Sequence, residues 1–325
     1  MKIFITGISG FVARHLIEFL SSLNTPVEVL GIYNQHLPAF NENEFLNVKC
    51  KFVQLNLLDK EKVTKAILNF NPNYLIHLAA KSSVALSWQR PGEIVSENSQ
   101  IFINLIETLR ETSISCRMLS IGSAEEYGHI KNSSLPLLET FPCLPVSPYG
   151  AARVLQNNLV GIYTHNYGLD LIHTRSFNHI GPYQNENFAI GSFLKQITTQ
   201  KKQGKKEVTL VVGDIDVIRD FTDVRDVVRA YYLLLQKGIK GETYNVCSNH
   251  GYKLREIIDT CSKLTGLQIK TVANANNLRP SENKELIGSY EKLNKETGWY
   301  PKIDMKTSLT DLLSYWDHKM LPVNA

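Results

Sequence analysis

Tyr149 opens a helical run that begins Ser147-Pro148, and Arg153 follows at a spacing that puts both side chains on one helix face. A phenol and a guanidinium there put a titratable hydroxyl beside a positive charge. Ser123, just after an apolar run ending Ile121-Gly122, adds a hydroxyl. Nearer the N-terminus, Thr6-Gly7-Ile8-Ser9-Gly10-Phe11-Val12-Ala13 joins an apolar run to an amphipathic one. Glycines there let the backbone turn tightly against a pyrophosphate, free N–H groups of a helix start face it, and small Ala13 allows close helix–strand packing. G-x-x-G-x-x-A alone also fits a plain tight turn; its place on the first strand-to-helix turn makes it a dinucleotide site.

Such residues need a sheet to hold them. Strands are expected at Lys2–Thr6, 27–32, 51–55, 74–78, Arg117–Ile121 and 170–174, each short, apolar and bounded by turn or charged residues. Between them Leu16, Phe19 and Leu20, then Val63, Ile67 and Phe70, then Ile94, Ile101, Leu105 and Leu109 recur at helical period. Six parallel strands with crossover helices make an α/β, doubly wound sheet over residues 1–175, with some later segments returning to it. Beyond lie a Pro-, Gly- and Asn-rich loop at 177–187 and helices near 188–203, 223–236, 253–265 and 306–318. These predict a smaller C-terminal lobe, 176–325, with no second independent sheet, and a ligand cleft between the lobes.

Composition excludes several classes. At 325 residues with 43% hydrophobic and 20% charged residues, the chain is neither disordered nor fibrous. A net charge of +4 implies no nucleic-acid partner, and Lys201, Lys202, Lys205 and Lys206 read as a solvated helix end. The five cysteines are odd in number and scattered, pointing to a reducing compartment and away from a metal site. The apolar start is too short for a signal peptide and no long apolar stretch follows, so the expectation is a cytoplasmic chain with no membrane contact.

With Ser123, Tyr149 and the cation at 153 in place, the sequence resembles the extended short-chain dehydrogenase/reductase family, whose fold is of the Rossmann type. That resemblance makes Tyr149 the proton donor and Ser123 the partner of the carbonyl oxygen. It gives position 153 the nicotinamide ribose to hold. The motif reads Tyr149-Gly150-Ala151-Ala152-Arg153, so an arginine replaces the family's lysine. Its charge survives, but its planar fork is bulkier and practically never gives up a proton, so Arg153 is expected to act as a fixed charge. The opposing reading is a surface arginine beside a lapsed site.

The likeness narrows along His77-Leu78-Ala79-Ala80-Lys81-Ser82-Ser83-Val84, Ile121-Gly122-Ser123-Ala124-Glu125-Glu126-Tyr127-Gly128, Arg175-Ser176-Phe177-Asn178-His179-Ile180-Gly181-Pro182, Arg219-Asp220-Phe221-Thr222-Asp223 and Leu278-Arg279-Pro280-Ser281-Glu282. In that order they resemble the GDP-4-keto-6-deoxy-D-mannose reductases. The resemblance implies a GDP-4-keto-6-deoxy sugar reduced at C4, a hexose or its heptose analogue, giving a rhamno or talo product. It assigns substrate contacts to Ser83, Ser123, Ala124, Glu125, Asn178 and Lys195, with Arg219 and Arg279 on the diphosphate and Glu282 on the guanosine ribose. For Arg219 and Asp220 the plain alternative is pairing with Asp223 or Arg225, for Asn178 a turn role, and for His77 a core histidine.

Cofactor contacts implied by the same likeness are Gly7, Ser9, Gly10, Phe11 and Val12 on the first turn, then Asn34, Asn56 and Leu57, then Leu78, Ala79, Ala80, Lys81 and Asn98. Ile121, Tyr149, Arg153, Phe177, His179 and Ile180 complete them. The second strand ends Gly31-Ile32-Tyr33-Asn34-Gln35-His36, without an acid for an adenosine 2′-hydroxyl, and Arg14 or His36 could meet a 2′-phosphate. The expected cofactor is NADPH or NADH, with a lean to NADPH. The chief rival is a GDP-mannose 4,6-dehydratase, whose acid/base glutamate Glu125 would match; loop 177–184 reads as the reductases' instead. A cofactor-binding module without turnover is the non-enzyme reading. Ile103, Leu155, Leu159 and Ile162 widen the apolar faces of helices 93–112 and 148–166, which in the family form an intersubunit bundle; a homodimer is expected, with a tetramer as the alternative.

Overall fold

In the computed structural model, which describes residues 1–130, 135–274 and 283–319, apolar β-branched runs become strands buried on both faces. The elements of the first half are β1 (Lys2–Thr6), α1 (Phe11–Ser21), β2 (Val27–Tyr33), β3 (Val48–Gln54), α2 (Lys60–Phe70), β4 (Tyr74–His77), α3 (Val84–Gln89), α4 (Pro91–Thr112), β5 (Arg117–Ile121) and α5 (Pro148–Tyr167). The second half adds β6 (Leu171–Ser176), β7 (Asn178–Ile180), α6 (Ala189–Lys202), β8 (Glu207–Val212), β9 (Ile218–Asp223), α7 (Val224–Lys237), β10 (Thr243–Val246), β11 (Gly251–Lys253), α8 (Leu254–Thr265), β12 (Gln268–Ala273), β13 (Glu285–Leu286), α9 (Glu291–Thr297) and α10 (Met305–Lys319).

Seven strands, not six, form the main sheet, in the order β10-β6-β5-β4-β1-β2-β3, every pair parallel. The added strand, β10, pairs with β6 across a long insertion that no local pattern announces. β3 begins earlier than expected and is an edge, where exposed Lys49 and Lys51 alternate with buried Val48 and Cys50 and blur the apolar run. The order of strand addition reverses between β1 and β4, with β2 and β3 laid down on one side of β1 and β4, β5 and β6 on the other, so the crevice outside their C-terminal ends is the topological switch point of this Rossmann-type sheet.

One face of the sheet is covered by α1, α7 and α9 through Leu16, Ile17, Leu20, Val227, Tyr231 and Leu293, with Trp299 just past α9. The other is covered by α2, α4 and α5 through Val63, Ile67, Phe102, Leu105 and Val160. Each fully buried aliphatic or aromatic side chain contributes roughly 1.5–3 kcal/mol to this packing. A separate apolar core joins α6, β8, α8 and α10 through Phe193, Leu194, Leu210, Ile257, Leu309 and Trp316. The second region does contain sheet structure, contrary to the expectation: β9 pairs with β7, β11 and β13, and β12 pairs with β8. These strands are two to six residues long, so they carry little periodicity. β7 lies inside the stretch expected to be loop.

Candidate active site

The glycine turn at the switch point is dictated by space. Gly7 has φ +73°, and a Cβ there would lie 2.8 Å from the Ala79 nitrogen on the neighbouring β4 turn. Its N–H and that of Ile8 donate to the Ile32 carbonyl at 2.9 and 3.1 Å, locking the turn to β2. Gly10 caps α1 with no side-chain bond and no acid follows in the first turn, so the opening N–H groups stay available to an anion. A pyrophosphate fits that cradle, because only a glycine backbone leaves it open.

Thr6 Oγ1 accepts from Ala79 N at 3.2 Å and meets His77 Nδ1 at 2.9 Å. Burial, aided by the Arg153 charge, pushes the His77 imidazole down to about 3, so it stays neutral. One of its nitrogens is satisfied and the other, Nε2, is buried without a partner. Asn98 is buried on α4 and clamps the β4 turn, accepting from Lys81 N at 2.9 Å and donating to its carbonyl at 3.2 Å. Lys81 Nζ pairs with Glu93 and Glu97. Ser83 caps α3 by accepting from Leu86 N at 3.1 Å.

Beyond β2 and β3, Asn34 is exposed, Asn56 Oδ1 accepts from Leu58 N, and the Leu57 carbonyl accepts from Asn104. Arg14 is already engaged. It donates to Glu18 at 3.0 Å and Glu44 at 2.7 Å, and its guanidinium stacks 4.2 Å from the Tyr183 ring. His36 is exposed.

Ser147 Oγ accepts from Gly150 N at 3.0 Å and Pro148 holds the first helical position, which starts α5 where Tyr149 falls on its opening turn. Gly150 lets that turn sit on the Ser123 loop, for a Cβ would meet the Glu125 carbonyl at 2.6 Å. Ser123 Oγ accepts from Glu125 N at 3.2 Å, and Glu126 Oε1 accepts from Ser123 N at 2.9 Å, a capping box around a short 3-10 turn, Ala124–Glu126. Glu125 and Ser123 are half-buried; Ala124 and Glu126 are fully buried.

Arg153 is 5% exposed and Tyr149 7%, with the guanidinium carbon 5.1 Å from the phenol ring centroid. A surface arginine is excluded. Arg153 Nη1 donates to the Ile121 carbonyl at 3.1 Å and to Gln156 Oε1 at 2.6 Å, while its Nε is buried without a partner. An orphaned donor beside the tyrosine fits a ribose or other oxygen-rich ligand.

On the β6–β7 side, Phe177 and Ile180 are buried and His179 Nε2 meets Tyr231 Oη at 3.3 Å. Burial pushes His179 down to about 4. Asn178 Nδ2 donates to the Asp220 carbonyl at 3.2 Å. Arg219 donates to the Ile218 carbonyl at 2.8 Å, and Asp223 pairs with Arg225 instead. Asp220 pairs with neither arginine; its carboxylate accepts from Ser248 N, Ser248 Oγ and Asn249 N. Lys195 on α6 pairs with Glu186 at 2.8 Å. Arg279 and Glu282 lie outside the described residues.

Sequence reading gave no role to two residues. Glu126 had a signal in the S-x-x-E spacing from Ser123; Gln156 had none.

A glycine turn at the switch point of a doubly wound sheet, with a tyrosine and a cation on the adjoining helix, defines an extended short-chain dehydrogenase/reductase. Comparison with known proteins agrees. A family model described as GDP-mannose 4,6 dehydratase matches residues 4–312. GDP-6-deoxy-D-mannose reductase of Pseudomonas aeruginosa is 32% identical over 319 residues, 98% of this chain and 98% of its own. The structure of RMD from Pseudomonas aeruginosa complexed with NADPH is 31% identical with a TM-score of 0.85, covering 98% of this chain and 99% of that one. UDP-glucose 4-epimerase of Thermotoga maritima, solved with UDP-glucose, is 25% identical with a TM-score of 0.86, covering 99% and 100%. The chain belongs to the GDP-mannose 4,6 dehydratase family. Among the described residues, no helix is long and apolar enough to cross a membrane.

Proposed function

We propose that this chain reduces the C4 carbonyl of a GDP-4-keto-6-deoxy-hexose, or its heptose analogue, to the alcohol at the expense of NADPH or NADH. The observation that carries this reading is the 32% identity to GDP-6-deoxy-D-mannose reductase across 98% of both chains. The cofactor's pyrophosphate would lie on the Gly7–Gly10 turn and its ribose on Arg153 and Tyr149. When bound, the reduced nicotinamide supplies a hydride to the carbonyl carbon, and one proton completes the alcohol. Tyr149 gives that proton to the carbonyl oxygen, Ser123 Oγ donates a hydrogen bond to it, and Arg153 keeps a fixed positive charge against the phenol. Burial of Tyr149 and Arg153 keeps water from screening that charge. Asn178, Lys195 and Arg219 are the described candidates for sugar and diphosphate, with Arg279 and Glu282 beside them by resemblance.

Proton NMR of the product formed from GDP-4-keto-6-deoxy-mannose with either nicotinamide reports activity, cofactor and C4 configuration together. No reduction with either cofactor sinks the reading. A second reading, dehydration of GDP-mannose, draws on the family model's description and on Glu125 two residues past Ser123. Conversion of GDP-D-mannose without added reductant would favour it.

Leu155 and Ile162 leave 39% and 50% of their surface exposed on α5, and a homodimer through α4 and α5 would cover them. Five free cysteines suit a reducing, cytoplasmic setting.

A further inference from the structure

Arg153 is a buried cation whose balancing charge is not beside it: among the described residues no carboxylate pairs with it, and Gln156 Oε1 is its side-chain acceptor. Gln156, 2% exposed, has its orientation fixed by what surrounds it. Its Nε2 donates to Ser120 Oγ at 2.6 Å and to the Ile121 carbonyl at 3.1 Å, so Oε1 is the atom that faces the guanidinium. Ser120, accepting there, gives its own proton to His173 Nδ1 at 2.9 Å. His173 Nε2 then carries the ring proton and donates to Glu126 Oε1 at 3.0 Å. Donation runs one way along the chain, from the guanidinium to the Glu126 carboxylate. Glu126 also accepts from Ser123 N and from Arg175 Nε. A side chain at residue 122 would occupy this space, since a Cβ there would lie 2.2 Å from Glu126 Oε1 and 2.3 Å from His173 Nε2.

We propose that Gln156 is a positioning residue: it turns the Arg153 guanidinium against Tyr149 with Nε left for the bound nucleotide, and through Ser120, His173 and Glu126 it ties that orientation to the turn carrying Ser123. The inference rests on the reductase reading and deepens it. A planar fork has to be aimed, whereas an ammonium is a point charge that needs no such partner, so an arginine at this position depends on a buried acceptor. The relay sets the Glu126 carboxylate, which also pairs with Arg175, several residues away and leaves Arg153 without an adjacent carboxylate where the chemistry would occur.

The test is NADPH titration of the full-length protein by fluorescence, with melting temperature as a control, for wild type, Gln156→Leu, Arg153→Met and the double variant. Gln156→Leu weakens NADPH binding about tenfold or more when Arg153 is present, and less than about twofold in the Arg153→Met background. Equal factors in both backgrounds, or no weakening in the first, overturn the proposal. Gln156→Glu keeps the acceptor at the same reach and binds more tightly than Gln156→Leu; equal weakness overturns it as well. Should Gln156→Leu not fold, Gln156→Asn withdraws the acceptor by one methylene while keeping the amide, with the same expectations. Wild-type protein that binds NADPH yet reduces no 4-keto nucleotide sugar sinks the reductase reading and leaves this comparison standing. An active enzyme with an additive cycle sinks only the role of Gln156.

Discussion

The guanidinium of Arg153 lies 5.1 Å from the centre of the Tyr149 ring, one helical turn along α5, with both side chains almost wholly enclosed. A cation over an aromatic face in a desolvated site is worth roughly 2 kcal/mol, and removing it leaves the phenol without its fixed charge.

Charge and phenol are separable by substitution. Arg153→Lys keeps the cation and is expected to retain kcat within about threefold, whereas Tyr149→Phe removes the proton donor and loses about 10²–10⁴-fold. Steady-state kinetics on the 4-keto sugar decide it, and an inactive Lys variant defeats the fixed-charge role.

Gly7→Ala tests the cradle. The residue has φ +73°, and its new Cβ would meet the β4 turn, so the variant loses about 1–3 kcal/mol of stability and binds nicotinamide nucleotide weakly. Urea unfolding and isothermal titration measure the two effects, and wild-type affinity in the variant contradicts the placement of the pyrophosphate.

Stability falls on acidification. Burial holds His77 down at about 3 and His179 at about 4, so below 6.5 the unfolded chain takes up protons that the native one refuses. Their contribution is full above 6.5 and lost as pH falls towards those values. Burial pushes Asp220 the other way, up to about 6, so its contribution is full below 3.8 and lost as pH rises through 6. Between pH 6 and 4 two histidines oppose one carboxyl, leaving a net loss of about 1.4 kcal/mol per pH unit. Urea midpoints at pH 7, 6 and 5 should decline, and His77→Asn should flatten the slope.

Asp220 also holds loops together, accepting from Ser248 N at 2.7 Å, Asn249 N at 3.0 Å and Gly288 N at 3.3 Å. Asp220→Ala leaves those donors without their acceptor, Gly288 N among them buried, and is expected to cost about 2–3 kcal/mol. A melting temperature equal to wild type would contradict it.

For the proposed dimer, Leu155→Glu with Ile162→Glu puts carboxylates on the exposed α5 face. Light scattering should then report half the wild-type mass; an unchanged mass rules out this interface.

Local chemistry was legible along the chain. The apolar runs of β1, β4 and β5, the turn from Gly7 to Ala13 and the Ser147-Pro148 start before Tyr149 each act over a few residues, so spacing alone reveals them. Short strands such as β7 and β13 stayed hidden because two or three residues show no period. Arg153 was expected as a fixed charge, with a surface arginine as the opposing reading, and only its burial at 5% exposure separated the two.

What the sequence determined by itself was the sheet type, the nucleotide turn and the pairing of a phenol with a cation, because those depend on neighbours in the chain. Only the tertiary structure decided that β10 closes the sheet beside β6, that Arg14 is taken up by Glu18 and Glu44, and that Arg153 is aimed by Gln156 towards a line ending at Glu126. The β10–β6 pairing, the Arg14–Glu44 ion pair and the links from Gln156 through Ser120 and His173 to Glu126 join residues far apart in sequence, and buried polar groups are tolerated only where each meets its partner, which no single segment encodes.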